Sequence, residues 1–344
     1  MTTQVIRVAL AGLGAVNRSL LTLFAEKQEA VKRRYNLLFQ ITAVADSSGA
    51  ALNSQGFTPE MLQALKANGG QVASLLNHTA DHQTFTELLS PQHCDLLFEG
   101  TPVNIQTGQP GLAYTRQALQ QGLHVVLANK GPLLHDYQEL TTLAKANHTK
   151  LAYSATVCGA LPVINIGQRD LVAAEIRQIR GIFNSTTNYI LAKMDQGDSF
   201  EKALLEAQHR GIAEADSSLD VDGWDTANKL LIIANSILGI RAKLSDISVE
   251  GIRNVTVDQL REARQHGEII KLIATAHATT SGYRLAVAPR SVASSEFLGS
   301  CNGWEMGIEL ETDIYGSLYH KSREESPLPT AAAMLRDAVN IYRL

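Results

Sequence analysis

Residues Val5 to Leu10 alternate in a β-rich pattern, and Ala11-Gly12-Leu13-Gly14-Ala15-Val16-Asn17 then opens an apolar-periodic helix expected to reach about Glu26. Strand, glycine turn and helix in that order are what a dinucleotide-binding βαβ unit requires. Gly12 allows the tight turn. Gly14 lets the backbone approach a pyrophosphate lying on the helix N-terminus, where Ala15 and Val16 form the first turn. Asn17 occupies the place of the usual third glycine; it tolerates unusual dihedrals but packs less closely against the strand.

The next strand, Phe39 to Asp46, ends in an acid followed by Ser47-Ser48-Gly49. An acid at that point usually holds the ribose hydroxyls, so Asp46 points to NAD, while Ser47 and Ser48 are suited to a 2′-phosphate. The coenzyme is therefore read as NAD(P), without a preference. Asp95 to Glu99 and His124 to Ala128 read as further buried strands, ending in Gly-Thr-Pro and in Asn129-Lys130-Gly131-Pro132. Both end at the edge where an open α/β sheet places its ligands, which makes Lys130 a candidate rather than a chance surface lysine. Lys150 to Thr156 reads as the last strand of this half.

A length of 344 residues suits two domains. The net charge of −4, with Lys32-Arg33-Arg34 as the one basic triplet, argues against nucleic acid. Cys94, Cys158 and Cys301 have no metal-ligand spacing and fit a reducing cytoplasm. No signal-peptide pattern opens the chain, and no apolar run approaches the ~20 residues needed to span a bilayer.

The second half does not repeat the first. Ile176–Phe183 reads as a strand, Thr186–Met194 and Phe200–His209 as helices, and Glu305–Tyr315 as a last strand. Between them, Glu214, Asp216, Asp220, Asp222 and Asp225 precede Lys229. The segment from Trp224 to Gly239 is apolar nearly all round, which marks a buried helix. Asp225 and Lys229 are i,i+4 neighbours on it. Capping explains single acids in this stretch, Asp222 for instance as an N-cap. Five carboxylates together call for an external cation, and the spacing lacks the ladder of a calcium loop. A substrate ammonium meets the need, and no metal is assigned.

These pieces resemble one family, homoserine dehydrogenase, over essentially the whole chain. The resemblance rests on Ala11–Gly14, Asp46–Gly49, Ala128-Asn-Lys130, Ala155-Thr-Val157 with Leu161–Ile164, Phe183-Asn-Ser-Thr-Thr-Asn-Tyr-Ile190, Glu214–Lys229 and Pro329-Thr-Ala. The glycine turn is shared widely; the Asn-Ser-Thr-Thr-Asn-Tyr run and the acidic stretch are specific. What the resemblance implies is reversible hydride transfer between L-aspartate 4-semialdehyde and L-homoserine with NAD(P), on the way to threonine, methionine and isoleucine. Lys229 falls on the family's catalytic lysine and Lys130 on its second. Glu214 and Asp225 match substrate-binding carboxylates, with Asp220 beside them as a third acid counted with the catalytic set. Thr101 and Gly211 match positions lining the cofactor. The fold implied is a Rossmann-type dinucleotide-binding domain over 1–153, to which a C-terminal helix in 316–344 returns, plus an α+β catalytic and dimerisation domain over 154–315. A cytoplasmic homodimer is expected, with helical segments such as 186–210 at the interface.

The departures are Asn17, and Ser322–Pro329 in place of a glycine-rich loop over the cofactor. The family's cation site would use the carbonyls of Val157, Gly159 and Leu161, but its glutamate falls on Ser154. The chain is expected to be a short form without the C-terminal regulatory domain, insensitive to threonine.

Two other readings compete. In the first, another NAD(P)-dependent amino-acid aldehyde dehydrogenase acts through a Cys158 thiolate, which needs a nearby base. In the second, a dinucleotide sensor without enzyme activity uses the second domain for partners, a role with no need of two lysines and an acid cluster.

Overall fold

The computed structural model describes residues 2–78, 84–214 and 216–343. Contacts divide the chain into two units, Met1–Gly159 with Ser326–Leu344, and Ala160–Glu325.

The first unit is a six-stranded sheet in the order β3-β2-β1-β4-β5-β6. Its strands are β1 (Gln4–Ala11), β2 (Leu37–Asp46), β3 (Gly49–Phe57), β4 (Leu96–Glu99), β5 (His124–Leu127) and β6 (Leu151–Ala152). All neighbours pair in parallel except β2 and β3. This is the doubly wound α/β arrangement expected from the glycine turn. β4 is buried at all four residues, as a parallel strand covered on both faces must be. Phe24, Phe39 and Phe98 form an aromatic cluster with centroids 5.8 to 6.5 Å apart. The C-terminal helix Leu328–Tyr342 packs Ala331, Met334 and Ala338 into the same core.

Three local differences from expectation have physical causes. The first helix runs unbroken over Ala15–Tyr35 and stops only at Asn36, whose φ of 56° is left-handed. β3, not anticipated, folds straight back on β2, because Ser48 ties the intervening turn to Asp46. The expected strand Lys150–Thr156 stops after two residues. There Ser154 N and Oγ both donate to the buried Asp337 carboxylate at 3.0 Å, which draws Ser154–Thr156 into a 3₁₀ turn.

The second unit is a six-stranded sheet in the order β12-β11-β7-β9-β10-β8. Its strands are β7 (Ile176–Ile182), β8 (Ile247–Val249), β9 (Glu268–Thr279), β10 (Gly282–Ala293), β11 (Glu305–Thr312) and β12 (Ser317–Arg323). Only the β10–β8 pair is parallel. Residues 317–323, expected within the terminal helix, are instead a strand paired with β11 from Glu305–Arg323 to Glu311–Ser317. Their alternating exposure suits an edge strand, not an amphipathic helix. After Pro162 the chain forms a short helix over Val163–Asn165 and a π turn over Ile166–Asp170.

The Trp224–Ile237 helix is buried on most sides, with Ala227, Leu230, Leu231, Ile232, Ile233 and Ala234 enclosed. Lys271 on β9 is also enclosed, only 1 % exposed. Its ammonium donates to Asn188 Oδ1 at 2.9 Å and to the Cys301 carbonyl at 2.6 Å. Burial pulls this lysine down to about 8.

Lys271 gives a signed pH prediction. Its folded-state value lies below the unfolded one of 10.5, so the folded state releases the proton first. Stability from this group is full above the unfolded value and is lost as the pH falls through about 8. Urea unfolding of wild type and Lys271→Met between about pH 7 and pH 10 should show wild type gaining on the order of 2 kcal/mol relative to the variant. Parallel stability curves would contradict the assignment.

Candidate active site

Three strand ends of the first unit carry its chemistry. At the end of β1, Gly12 has a φ of +80°, and a Cβ there would stand 2.8 Å from the Gly100 carbonyl oxygen. Only glycine can therefore close this turn. Gly14 and Ala15 are exposed at the helix N-terminus, Val16 is half-buried, and no side chain caps the first turn. A Cβ on Gly14 would meet nothing within 4 Å. An open, uncapped N-terminus of a long helix has amides suited to a dinucleotide's pyrophosphate, so the residues present fit that group.

Asn17 is fully buried, and its amide donates to the carbonyls of Ala11 at 3.0 Å and Gly12 at 2.6 Å. It braces the glycine turn from inside. In the place of the third glycine, Asn17 thus holds the turn through its side-chain amide.

Asp46, assigned to the ribose, is engaged within its own unit. Oδ1 accepts from Ser48 N at 2.9 Å and from the Ser48 hydroxyl; Oδ2 accepts from Lys66 Nζ at 3.0 Å and Val72 N at 3.2 Å. Burial pushes its carboxyl up, but these donors together hold it below the usual range. A ribose hydroxyl would have to share these oxygens with Lys66.

At the ends of β4 and β5, one residue missed by sequence reasoning organises two that were predicted. Glu99 is fully buried, and Oε1 accepts from Thr101 N at 3.0 Å and from the Thr101 hydroxyl. Asn129 donates to Thr101 Oγ1 at 3.2 Å, and its Oδ1 accepts from Gly131 N at 2.8 Å. The network fixes Thr101 and the half-buried Lys130, which begins the Gly131–Ala146 helix. Burial raises the Glu99 carboxyl to about 7, against hydrogen bonds from Thr101 and Asn129. The available signal was an acid ending the apolar run Leu96-Leu97-Phe98.

In the second unit, β7 delivers Phe183 and Asn184. A Cβ on Gly181 would lie 2.2 Å from the Phe183 ring, so glycine there makes room for that side chain. Asn184 Nδ2 donates to Asp220 Oδ1 at 2.7 Å and to Asp225 Oδ2 at 2.8 Å. Lys229 Nζ lies 2.8 Å from the same Asp225 oxygen and donates to the Phe183 carbonyl at 2.6 Å. The side chains of Lys229 and Asp225 are 16 % and 11 % exposed, so this i,i+4 pair is sheltered from solvent screening.

The acidic stretch thus divides. Asp220 and Asp225 join Lys229. Asp216 instead accepts from Ser218 N and Oγ, and Asp222 pairs with Arg253. Glu214 is exposed, its carbonyl accepting from Gln208, and the structure does not bring its side chain to the Asp225–Lys229 pair among the described contacts. Gly211, with a φ of +69°, ends the Phe200–His209 helix in the same unit.

Glu324 was not anticipated either. Oε1 accepts from Ala160 N at 2.6 Å; burial raises its carboxyl while this bond and nearby Lys229 lower it. Nothing in the local sequence signalled it. Cys158, the nucleophile of the competing reading, is buried with a φ of 53°. No described helix is long and apolar enough to cross a membrane.

Comparison with known proteins finds one family along the chain. The family description "Homoserine dehydrogenase, NAD binding domain" matches residues 12–154, and "Homoserine dehydrogenase" matches residues 162–339. The chain is similar to a homoserine dehydrogenase of Methanocaldococcus jannaschii, 35% identical over 97% of this chain and 98% of the other. An NAD(+)-dependent homoserine dehydrogenase of Pseudomonas canavaninivorans is 31% identical over 98% and 96%. Among solved structures, a homoserine dehydrogenase from Thiobacillus denitrificans has a TM-score of 0.86 at 27% identity, covering 100% of this chain and 74% of that one.

The glycine turn supplies the test of the first unit. Gly12→Ala adds a Cβ against Gly100 and places alanine in a left-handed conformation, a penalty on the order of 1–2 kcal/mol before the clash. The expected outcome is a lower melting temperature and at least about tenfold weaker NADPH binding by fluorescence titration. Unchanged affinity would contradict the turn's role.

Proposed function

Because the chain belongs to the homoserine dehydrogenase family and is an NAD(P)-dependent oxidoreductase, we propose that it interconverts L-aspartate 4-semialdehyde and L-homoserine reversibly, through Lys229 and the acids beside it. The observation that carries the reading is the sheltered Lys229–Asp225 pair, with the lysine held at 2.8 Å from the carboxylate.

Gly12, Gly14, Ala15, Val16, Asp46 and Thr101 would hold the coenzyme in the first unit, and Gly211 belongs to the same proposed set. Bound NAD(P)H supplies the hydride to the aldehyde carbon, and NAD(P) accepts it in reverse. Negative charge then grows on the carbonyl oxygen. The Lys229 ammonium stabilises that charge and donates the proton; in homoserine oxidation the lysine takes it back. Asp225 keeps the ammonium oriented, and with Glu214 it meets the substrate's own ammonium. Asp220 lends a second carboxylate held by Asn184. Lys130 adds positive charge near the reacting end of the coenzyme, on a loop stiffened by Glu99 and Asn129. The product enters threonine, methionine and isoleucine synthesis. Three buried free thiols suit a cytoplasmic setting.

A second copy of the chain completes the proposal. The Ser185–Asp195 helix, first considered for the interface, buries Thr186 to Leu191 in its own unit. Ile314, Tyr315 and Tyr319 are more than half exposed at the β11–β12 end of the sheet, an apolar surface suited to association. Sedimentation velocity should give twice the 37.3 kDa chain mass. A single-chain mass at micromolar concentration would remove the dimer.

The catalytic assignment is tested with Lys229→Ala. Turnover with homoserine and NAD or NADP should fall by about 100-fold or more, with coenzyme affinity unchanged. Retained turnover would take Lys229 out of the mechanism, whereas Cys158→Ala should remain active.

A further inference from the structure

Asn184 uses its whole carboxamide. Oδ1 accepts from Thr187 N at 2.8 Å and caps the Ser185–Asp195 helix. The two N–H groups of Nδ2 go to two different acids, Asp220 at 2.7 Å and Asp225 at 2.8 Å. The residue is 5 % exposed, and its bond to Asp225 is buried while that to Asp220 is partly buried. Capping requires only the oxygen. The paired donation to Asp220 and Asp225 is additional, and both bonds are charge-assisted.

The Asp225 oxygen that accepts from Asn184 is the one paired with Lys229. The lysine also donates to the carbonyl of Phe183, the residue preceding Asn184. One dipeptide therefore holds both partners of the ion pair. The helix that Asn184 begins is anchored one turn later. Asn188 Nδ2 lies within hydrogen-bond distance of the carbonyls of Cys301, Gly303 and Glu305 at 3.0 to 3.2 Å, and its Oδ1 accepts from Lys271. The N-cap is thus anchored through the first turn of its own helix.

We infer that Asn184 is a positioning residue: it sets the separation of Asp220 and Asp225 and, through the shared oxygen, the direction of Lys229. The inference rests on the reading that Asp225 and Lys229 touch the substrate. Without Nδ2, two sheltered carboxylates repel each other, and Asp225 turns on its own χ angles with Lys229 attached.

Asn184→Ser and Asn184→Asp both retain an oxygen that can cap the helix, and neither has the two N–H groups. Steady-state kinetics with homoserine, NADPH titration and thermal unfolding separate the roles. Both variants should bind NADPH with unchanged affinity, and Asn184→Ser should unfold within a few degrees of wild type, whereas Asn184→Asp, which adds a third carboxylate beside Asp220 and Asp225, should unfold at a lower temperature. Their kcat/KM for homoserine should fall roughly 10- to 100-fold, from the loss of two charge-assisted bonds. A folded variant with kcat and homoserine KM within about twofold of wild type would overturn the inference. So would a parallel loss of melting temperature, coenzyme affinity and homoserine turnover in both variants, which is what general disruption of the helix start predicts. Lys229→Ala distinguishes the layers. If it stays active, the underlying reading fails; if it is inactive while Asn184→Ser is not, only the positioning role fails.

Discussion

Asp225 is a carboxylate 8 % exposed, and a buried charge persists only where neighbours replace the water it has lost. Asn184 and Lys229 are those neighbours, and they determine much of the second unit. Lys229 must lie one helical turn after Asp225, which requires the helix from Trp224 to keep that face towards Phe183. Asn184 must stand at a strand end and a helix start together, because its oxygen caps while its nitrogen reaches two acids. Phe183 must turn its carbonyl to the lysine, and the missing side chain at Gly181 gives its ring the space to do so. The same sheltering makes the pair useful. A lysine aimed from a site of low screening does more for a developing negative charge than an exposed one.

The first unit rests on a constraint of space rather than of charge. β1 turns into its helix across the backbone of Gly100, so close that Gly12 has no room for a Cβ. Asn17 then closes the turn with two bonds to its carbonyls. Beyond it, the Glu99–Thr101–Asn129 network ties the ends of β4 and β5. A fully buried acid raised to about 7 is tolerated there because Thr101 and Asn129 satisfy one of its oxygens. The loop that begins at Lys130 takes its position from this network.

Legibility from sequence followed the range of the forces involved. The glycine turn and the buried helix after Trp224 could be read because spacing of three or four residues encodes them. Asp225 with Lys229 was visible for the same reason. Asn184 stood in a recognised motif, but its contacts with Asp220 and Asp225 span 36 and 41 positions, and no local pattern announces them. β12 was hidden because alternate exposure over seven residues at an edge carries little apolar signal. The two-residue β6 reflects Asp337, 183 positions beyond Ser154. Asp46 teaches the opposite lesson: its position at the end of β2 was correctly read, yet its oxygens were already engaged by Lys66 and Val72.

The most direct test of the central claim is a crystal structure of the protein with NADP and L-homoserine bound. The account predicts the Lys229 ammonium within hydrogen-bond distance of the homoserine hydroxyl, with Asn184 still bridging Asp220 and Asp225. A homoserine hydroxyl bound away from Lys229, with that lysine still held by Asp225 and Phe183, would contradict it.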